Sequence, residues 1–141
     1  MSTNRSSQAP SRPRVLLADD DPAIRLLYAI WLSASGYDVD VVADGAGALN
    51  AVVDQGLPDA AVLDVRMPRI DGIAVCRSLR ARSSRLPIVI VSALDDIEAA
   101  ALDAGADVVL MKTAEREELC AALGAARSAR RALDGALAEA S

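Results

Sequence analysis

Five short apolar runs punctuate the chain: VLLA at 15–18, VDVV at 39–42, AAVL at 60–63, IVIV at 88–91 and VVLM at 108–111. Several are apolar at every position, as a strand must be when both of its faces are covered. Between the runs, apolar residues recur at spacings of three and four, the mark of a helix with one buried stripe. Asp21-Pro22 supplies an N-cap followed by proline in the first turn. Ile24, Leu27, Tyr28, Trp31 and Leu32 then share one face, and Gly36 ends the helix. The same spacing returns over 46–53, 72–80 and 96–104, the last closing at Gly105. Strand and helix alternating with short connections predict right-handed crossovers and a doubly wound α/β fold, a parallel sheet of five strands and five helices over 14 to about 127.

The last periodic segment runs on to 139. Leu119, Leu123, Ala126, Leu133 and Leu137 form its stripe, and Arg130 interrupts it where a heptad calls for an apolar group. Two readings stand: an ordinary final helix with an Ala-rich tail over 128–141, or a helix that docks or forms a homodimer. At the other end, residues 1–13 are too polar and Pro/Ser-rich to bury surface, which predicts a flexible tail.

Composition narrows the function classes. Only 2% of the 141 residues are aromatic and none is Phe, so the core must be aliphatic. A net charge of −5 argues against direct nucleic-acid binding, which needs clustered positive charge. Arg77, Arg80, Arg82 and Arg85 make a basic run without interleaved aromatics, which predicts a solvated face. Cys76 and Cys120 lack metal-ligand spacing and read as buried reduced thiols. No apolar run approaches the roughly 18 residues of a membrane span, and the N-terminus lacks the apolar segment of a signal peptide. The expectation is a cytoplasmic protein.

In an open α/β sheet, functional groups gather beyond the carboxyl ends of the strands. Those positions hold Asp19 and Asp20 after the first strand, Asp64 after the third, Ser92 after the fourth and Lys112 after the fifth. Each alone has a plainer role, such as a cap, a turn or a solvated end. Together they bring three carboxylates, a hydroxyl and an ammonium to one edge. Neighbouring carboxylates repel unless a cation joins them. With so few protein oxygens, Mg²⁺ retaining several waters fits better than Ca²⁺. Such a set suits phosphoryl transfer: Asp64 as nucleophile, Lys112 and Ser92 on the phosphoryl oxygens. Lys112 is the only lysine in a chain whose other basic residues are all arginine. A compact ammonium on a flexible stem meets a phosphoryl oxygen where a planar guanidinium has the wrong shape.

The segments VLLADDDPAIR (15–25), PDAAVLDVRMPRIDG (58–72), LPIVIVSA (86–93) and DAGADVVLMK (103–112) resemble, in order and interval, the receiver domain of two-component response regulators. The resemblance spans 14 to about 123. It implies a flavodoxin-like sheet of order 2-1-3-4-5, the order that standard accounts of this fold give for a family member. It also implies Asp19 and Asp20 as the metal-binding pair, Asp64 as phosphoacceptor and metal ligand, the main-chain carbonyl of Arg66 as a further ligand, Ser92 as switch hydroxyl and Lys112 as phosphate lysine. A sensor histidine kinase or phosphotransfer protein would supply the phosphoryl group, and a downstream effector protein would receive the signal. The chain would be a phosphoacceptor with slow self-dephosphorylation and not an enzyme in the usual sense.

Three departures from the family pattern stand out. Thr113 replaces the usual proline after the lysine, which predicts a trans bond and a helix cap at Thr113. Val109 replaces the strand-five aromatic and has little rotamer freedom for the family's switch. Arg66 and Leu94 flank the phosphate position, where the arginine is either simply solvated or covers the acyl phosphate while the leucine restricts attacking water, lengthening its lifetime. Two other classes stay open: a pseudo-receiver that binds protein without phosphorylation, and a haloacid-dehalogenase-like phosphatase with Asp19 as nucleophile.

Overall fold

The computed structural model describes the backbone of residues 12–93 and 95–140, and the side chains up to 133. The elements are β1 (Arg14–Ala18), α1 (Pro22–Ala34), β2 (Asp38–Val42), α2 (Gly45–Gln55), β3 (Ala60–Asp64), α3 (Gly72–Arg82), β4 (Ile88–Ser92), α4 (Glu98–Asp103), β5 (Val108–Met111) and α5 (Arg116–Ala140). The strands form one parallel sheet of order β2-β1-β3-β4-β5.

Alternation along each strand sorts the core into two layers. Leu16, Leu63, Ile88 and Ile90 face α2, α3 and α4, meeting Val52, Val75, Leu79 and Ala101. Val15, Leu17, Val62, Val89 and Val91 face α1 and α5, meeting Tyr28, Leu32, Leu119 and Leu123. Strands β3 and β4 are buried at every residue, which is why their sequences read as unbroken apolar runs.

Capping accounts for several of the acidic residues. Asp21 accepts hydrogen bonds from the Ala23 and Ile24 amides, Asp44 from Gly47 and Asp71 from Ala74, each closing the first turn of a helix. Gly36 has φ 103°, the left-handed conformation that ends α1.

Several expectations need correction. Leu27 is 39% exposed on α1, as are Leu26 and Ile30 to a greater degree, so the buried face of that helix is narrower than its apolar stripe. Helix α4 is only six residues long, since Asp95 and Asp96 stay in a bend and no side chain caps its start. Thr113 lies in the turn after β5, and Glu115 caps α5 instead. The Glu118 carboxylate reaches back to the Glu115 amide, while the Glu115 carbonyl accepts from Leu119. The peptide bond before Thr113 is trans, as expected. The segment after 127 continues α5 without a break. Leu119, Leu123 and Ala126 of its stripe are buried, Leu133 is exposed, and the Leu137 side chain lies outside the described residues. Most of the tail segment 1–13 also lies outside them. Arg12, which does not, bonds the Ser33 and Gly36 carbonyls over the end of α1.

Arg80 is not the solvated charge its basic run suggests, and Arg130 is more than a break in its apolar stripe. Asp107, at the amino end of β5, accepts from the Ile88 amide at 2.9 Å, Arg80 at 3.3 Å and Arg130 at 2.7 Å. Arg130 also donates to the Ser84 carbonyl, pinning α5 to the end of the sheet. Charge-assisted bonds of this kind contribute about 1.5–3 kcal/mol each when screening is limited. Arg130→Gln is therefore expected to lower stability by about 1–2 kcal/mol, a discount for its partial exposure included. Urea denaturation checks this, and an unchanged midpoint would mean the contact is ornamental. Cys76 is buried, and burial pushes its thiol up to about 11. Cys120 is only half-buried, its sulfur 3.0 Å from the Ser35 hydroxyl, contrary to the expectation of two buried thiols.

Candidate phosphoacceptor site

Three parallel strands deliver Asp19, Asp64 and Lys112 to one edge of the sheet. Strand β1 ends at Ala18, and the Asp19 amide still pairs with the Val42 carbonyl, which fixes the start of the loop. Asp19 Oδ1 then accepts the Asp21 amide at 2.9 Å, and Arg25, one turn into α1, donates to the Asp19 carbonyl at 2.8 Å. In the run Asp19-Asp20-Asp21, these contacts separate the roles: Asp21 caps α1, Asp19 turns inward with 1% exposure, and Asp20 faces solvent.

Asp64 is the last residue of β3 and 3% exposed. One carboxylate oxygen each from Asp19, Asp20 and Asp64 lie within 4.8 Å of one another. Lys112 Nζ donates to Asp64 Oδ2 at 3.1 Å and to Asp19 Oδ1 at 3.4 Å. Burial, then the charge of Asp19, raises the Asp64 carboxyl to about 6, against the opposing pull of Lys112 and the Arg66 amide. Burial works against the Lys112 charge, but the hydrogen bond and charge of Asp64, then Asp19, hold its pKa above the ordinary value. An all-oxygen donor set with surplus negative charge at a partly open edge has the chemistry of a site for a small hard cation. Such a cation would be held by Asp19, Asp20 and Asp64.

The other expected residues fall as follows. Ser92 ends β4, is 1% exposed, and its carbonyl accepts the Lys112 amide at 2.8 Å, tying the hydroxyl and ammonium positions together. Arg66 is exposed in the loop after β3, and its amide bonds the Asp64 carboxylate. Leu94 lies outside the described residues. Val109 packs on the α4 layer, beside a cavity of about 120 Å³ lined also by Asp95, Glu98, Leu110 and Met111.

Three residues that shape this edge escaped the sequence reading. Arg25 is one, and its place one turn beyond the Asp21 cap was the available signal. The second is Gly72, which begins α3 and whose amide bonds the Val65 carbonyl at 2.9 Å. A Cβ there would collide with the Asp64 carbonyl oxygen and come within 2.8 Å of its carbon. The third is Tyr28, buried under α1 with its hydroxyl 3.5 Å from the Lys112 carbonyl. Burial and the charge of Asp19 raise its pKa, so it senses the acidic edge. Its ring stacks on Trp31 at 5.5 Å. Trp31 is the sole tryptophan, and its emission is expected to change as Mg²⁺ is titrated into the protein. A flat signal across a millimolar titration would show that Tyr28 does not relay the charge at this edge.

Comparison with known proteins agrees with this geometry. A sequence model described as "Response regulator receiver domain" matches residues 15–124. The response regulator MprA of Mycobacterium sp. (strain KMS) is 46% identical over 114 residues, covering 79% of this chain and 49% of that protein. MprA of Mycobacterium avium (strain 104) is similar at the same identity, with 50% of its length covered. The chain thus spans about half the length of these curated relatives. Among solved structures, the Francisella response regulator 1452 receiver domain is 33% identical with a TM-score of 0.74, over 82% of this chain and 97% of that one. A receiver domain protein from Clostridium thermocellum, 20% identical, shares the fold at a TM-score of 0.78, with 86% and 98% covered. The match favours the receiver reading over the haloacid-dehalogenase-like one, and the chain belongs to the response regulator receiver domain family.

Proposed function

We propose that the chain is a phosphoacceptor switch that takes a phosphoryl group on Asp64 from the phosphohistidine of a sensor kinase or phosphotransfer protein. The observation that carries this is the Lys112 ammonium lying 3.1 Å from a buried Asp64 carboxylate that shares an edge with two further carboxylates. An Asp64 oxygen attacks phosphorus in line, the N–P bond breaks, and the electron pair returns to the histidine imidazole. Lys112, held by Asp19 and the strand register, meets one phosphoryl oxygen, and the Ser92 hydroxyl donates to another. The Arg66 carbonyl, with Asp19, Asp20 and Asp64, would hold the cation. Mg²⁺, when bound, supplies positive charge that offsets the carboxylates and the incoming phosphoryl oxygens. Water attacking the acyl phosphate at the same site returns free Asp64, so the chain resets itself slowly and is not an enzyme with a separate substrate.

The downstream partner is an effector protein. A net charge of −5 favours protein over nucleic acid as the partner of these residues. No helix among the described residues is long and apolar enough to cross a membrane, which supports a cytoplasmic setting. The exposed Leu133 and the length of α5 leave a homodimer through that helix as a way for the signal to be used.

A second reading, a protein-binding module indifferent to phosphorylation, is favoured by Val109, whose β-branched side chain has little rotamer freedom for a switch. Incubation with Mg²⁺ and acetyl phosphate, followed by mass mapping of the modified residue, separates the two. Label on Asp64 is the expected result. Unlabelled protein that still binds its effector would establish the second reading instead.

A further inference from the structure

At the opposite end of the sheet, where β3 and β4 begin, lies a cavity of about 190 Å³ lined by Asp59, Arg85, Pro87, Arg127, Arg130 and Arg131. Among the described residues, four guanidinium groups face one carboxylate there, in a chain whose overall charge is −5. The arginines come from two separate segments, the loop before β4 and one side of α5, so their convergence is a product of the fold.

Two of them are held in place from behind. Arg130 is fixed by Asp107 and the Ser84 carbonyl, each at 2.8 Å or less. Arg127 lies over the Tyr37 ring, 5.4 Å from its centroid, and donates to the Tyr37 hydroxyl at 3.3 Å. Each guanidinium carries five N–H donors, so such backing leaves others directed away from it. The Asp59 carboxylate already accepts the Arg14 amide at 2.7 Å. Preset guanidinium forks match the oxygens of phosphate and lose little entropy on binding it. The volume is below the roughly 300–1,000 Å³ of pockets that enclose a drug-sized ligand, but it admits a phosphoryl or diphosphoryl group.

We propose that this cavity binds the diphosphate group of a small phosphorylated ligand, far from the Asp64 edge and independently of it. The group could belong to a free nucleotide or to another diphosphorylated metabolite, since both present the same oxygens to the arginines.

The test is calorimetric titration of the whole chain with inorganic pyrophosphate and, in a second arm, with ADP. Chelator is present throughout and the Asp64→Asn background is included, so that binding at the acceptor edge is excluded. Arg131→Gln and Arg85→Gln serve as variants because both side chains are exposed, and the melting curve of each reads any structural cost separately from loss of binding. Saturable pyrophosphate binding, weakened on the order of tenfold by either variant while its melting curve holds, is the expected result. ADP binding tighter than pyrophosphate would assign a nucleotide, and equal binding would assign the diphosphate alone. The proposal is overturned by absence of saturable binding, by equal affinity in the variants, or by citrate binding as tightly as pyrophosphate. The chelator keeps this outcome separate from success or failure of phosphorylation at Asp64.

Discussion

Asp64→Asn is expected to abolish phosphorylation and, in the metal-free protein at neutral pH, to raise stability by about 1–2 kcal/mol. Loss of function and gain of stability share one cause. The folded carboxyl keeps its proton to about pH 6, whereas its ordinary value is 3.8. Between those values the folded state binds the extra proton, so stability falls as pH rises through the window. Above pH 6 the full cost is present, about 3 kcal/mol for two pKa units. Asparagine removes that cost, less what Lys112 loses when its stronger partner becomes neutral and only Asp19 remains. Urea denaturation of both proteins between pH 4 and pH 8, with chelator, should show curves that diverge as pH rises. Saturating Mg²⁺ should close the gap by stabilising the wild type more, because the cation binds the ionised carboxylate. Parallel pH curves would mean that Asp64 titrates like a surface residue.

The second large effect is expected at Gly72. Gly72→Ala should cost about 2–3 kcal/mol by overpacking, and slow phosphorylation of Asp64 on the order of ten- to a hundredfold, as displacement of a reacting group does. The added methyl has no space to enter, because the carbonyl of Asp64 itself occupies it. Relief requires α3 to move away or the end of β3 to shift, and the second route displaces the nucleophile. Gly124→Ala is the control: nothing lies within 4 Å of its added carbon, and alanine in a helix is favoured over glycine by up to about 1 kcal/mol. Denaturation midpoints for the two variants should move in opposite directions, and only Gly72→Ala should slow labelling. A Gly72→Ala protein that labels at the normal rate would show the β3 end to be more yielding than its packing suggests.

The sheet was legible because its strands are bounded by turn chemistry and made of residues that suit double-sided burial. The acceptor edge was legible for a related reason, since a polar residue directly after an all-apolar strand has few other places to go. Contacts between distant segments were not legible. Tyr28 and Lys112 are 84 positions apart, and nothing in either neighbourhood announces the other. Arg130 appeared as a defect in a stripe because periodicity weighs each helix alone, whereas Asp107 waits for it 23 positions upstream. Thr113 looked like a cap on local grounds. The turn after β5 needed two more residues before α5 could start, and Glu115 with Glu118 took the role. Gly72 was read as part of a helix, and the backbone packed against it could not be seen until the fold placed it there.

Helix α5 has a mechanical consequence. Its 25 residues extend about 37 Å at 1.5 Å per residue, while a five-residue strand covers about 17 Å. The helix starts four residues after Lys112, is clamped at Arg130, and projects for ten further residues beyond that clamp. A tilt of about 5° about that clamp would carry the far tip, about 15 Å beyond it, through about 1 Å, by the same rise per residue. Small strains near Asp64 would thus reach the tip across a pivot that is a single arginine, and the firmness of that pivot sets how much of the movement arrives.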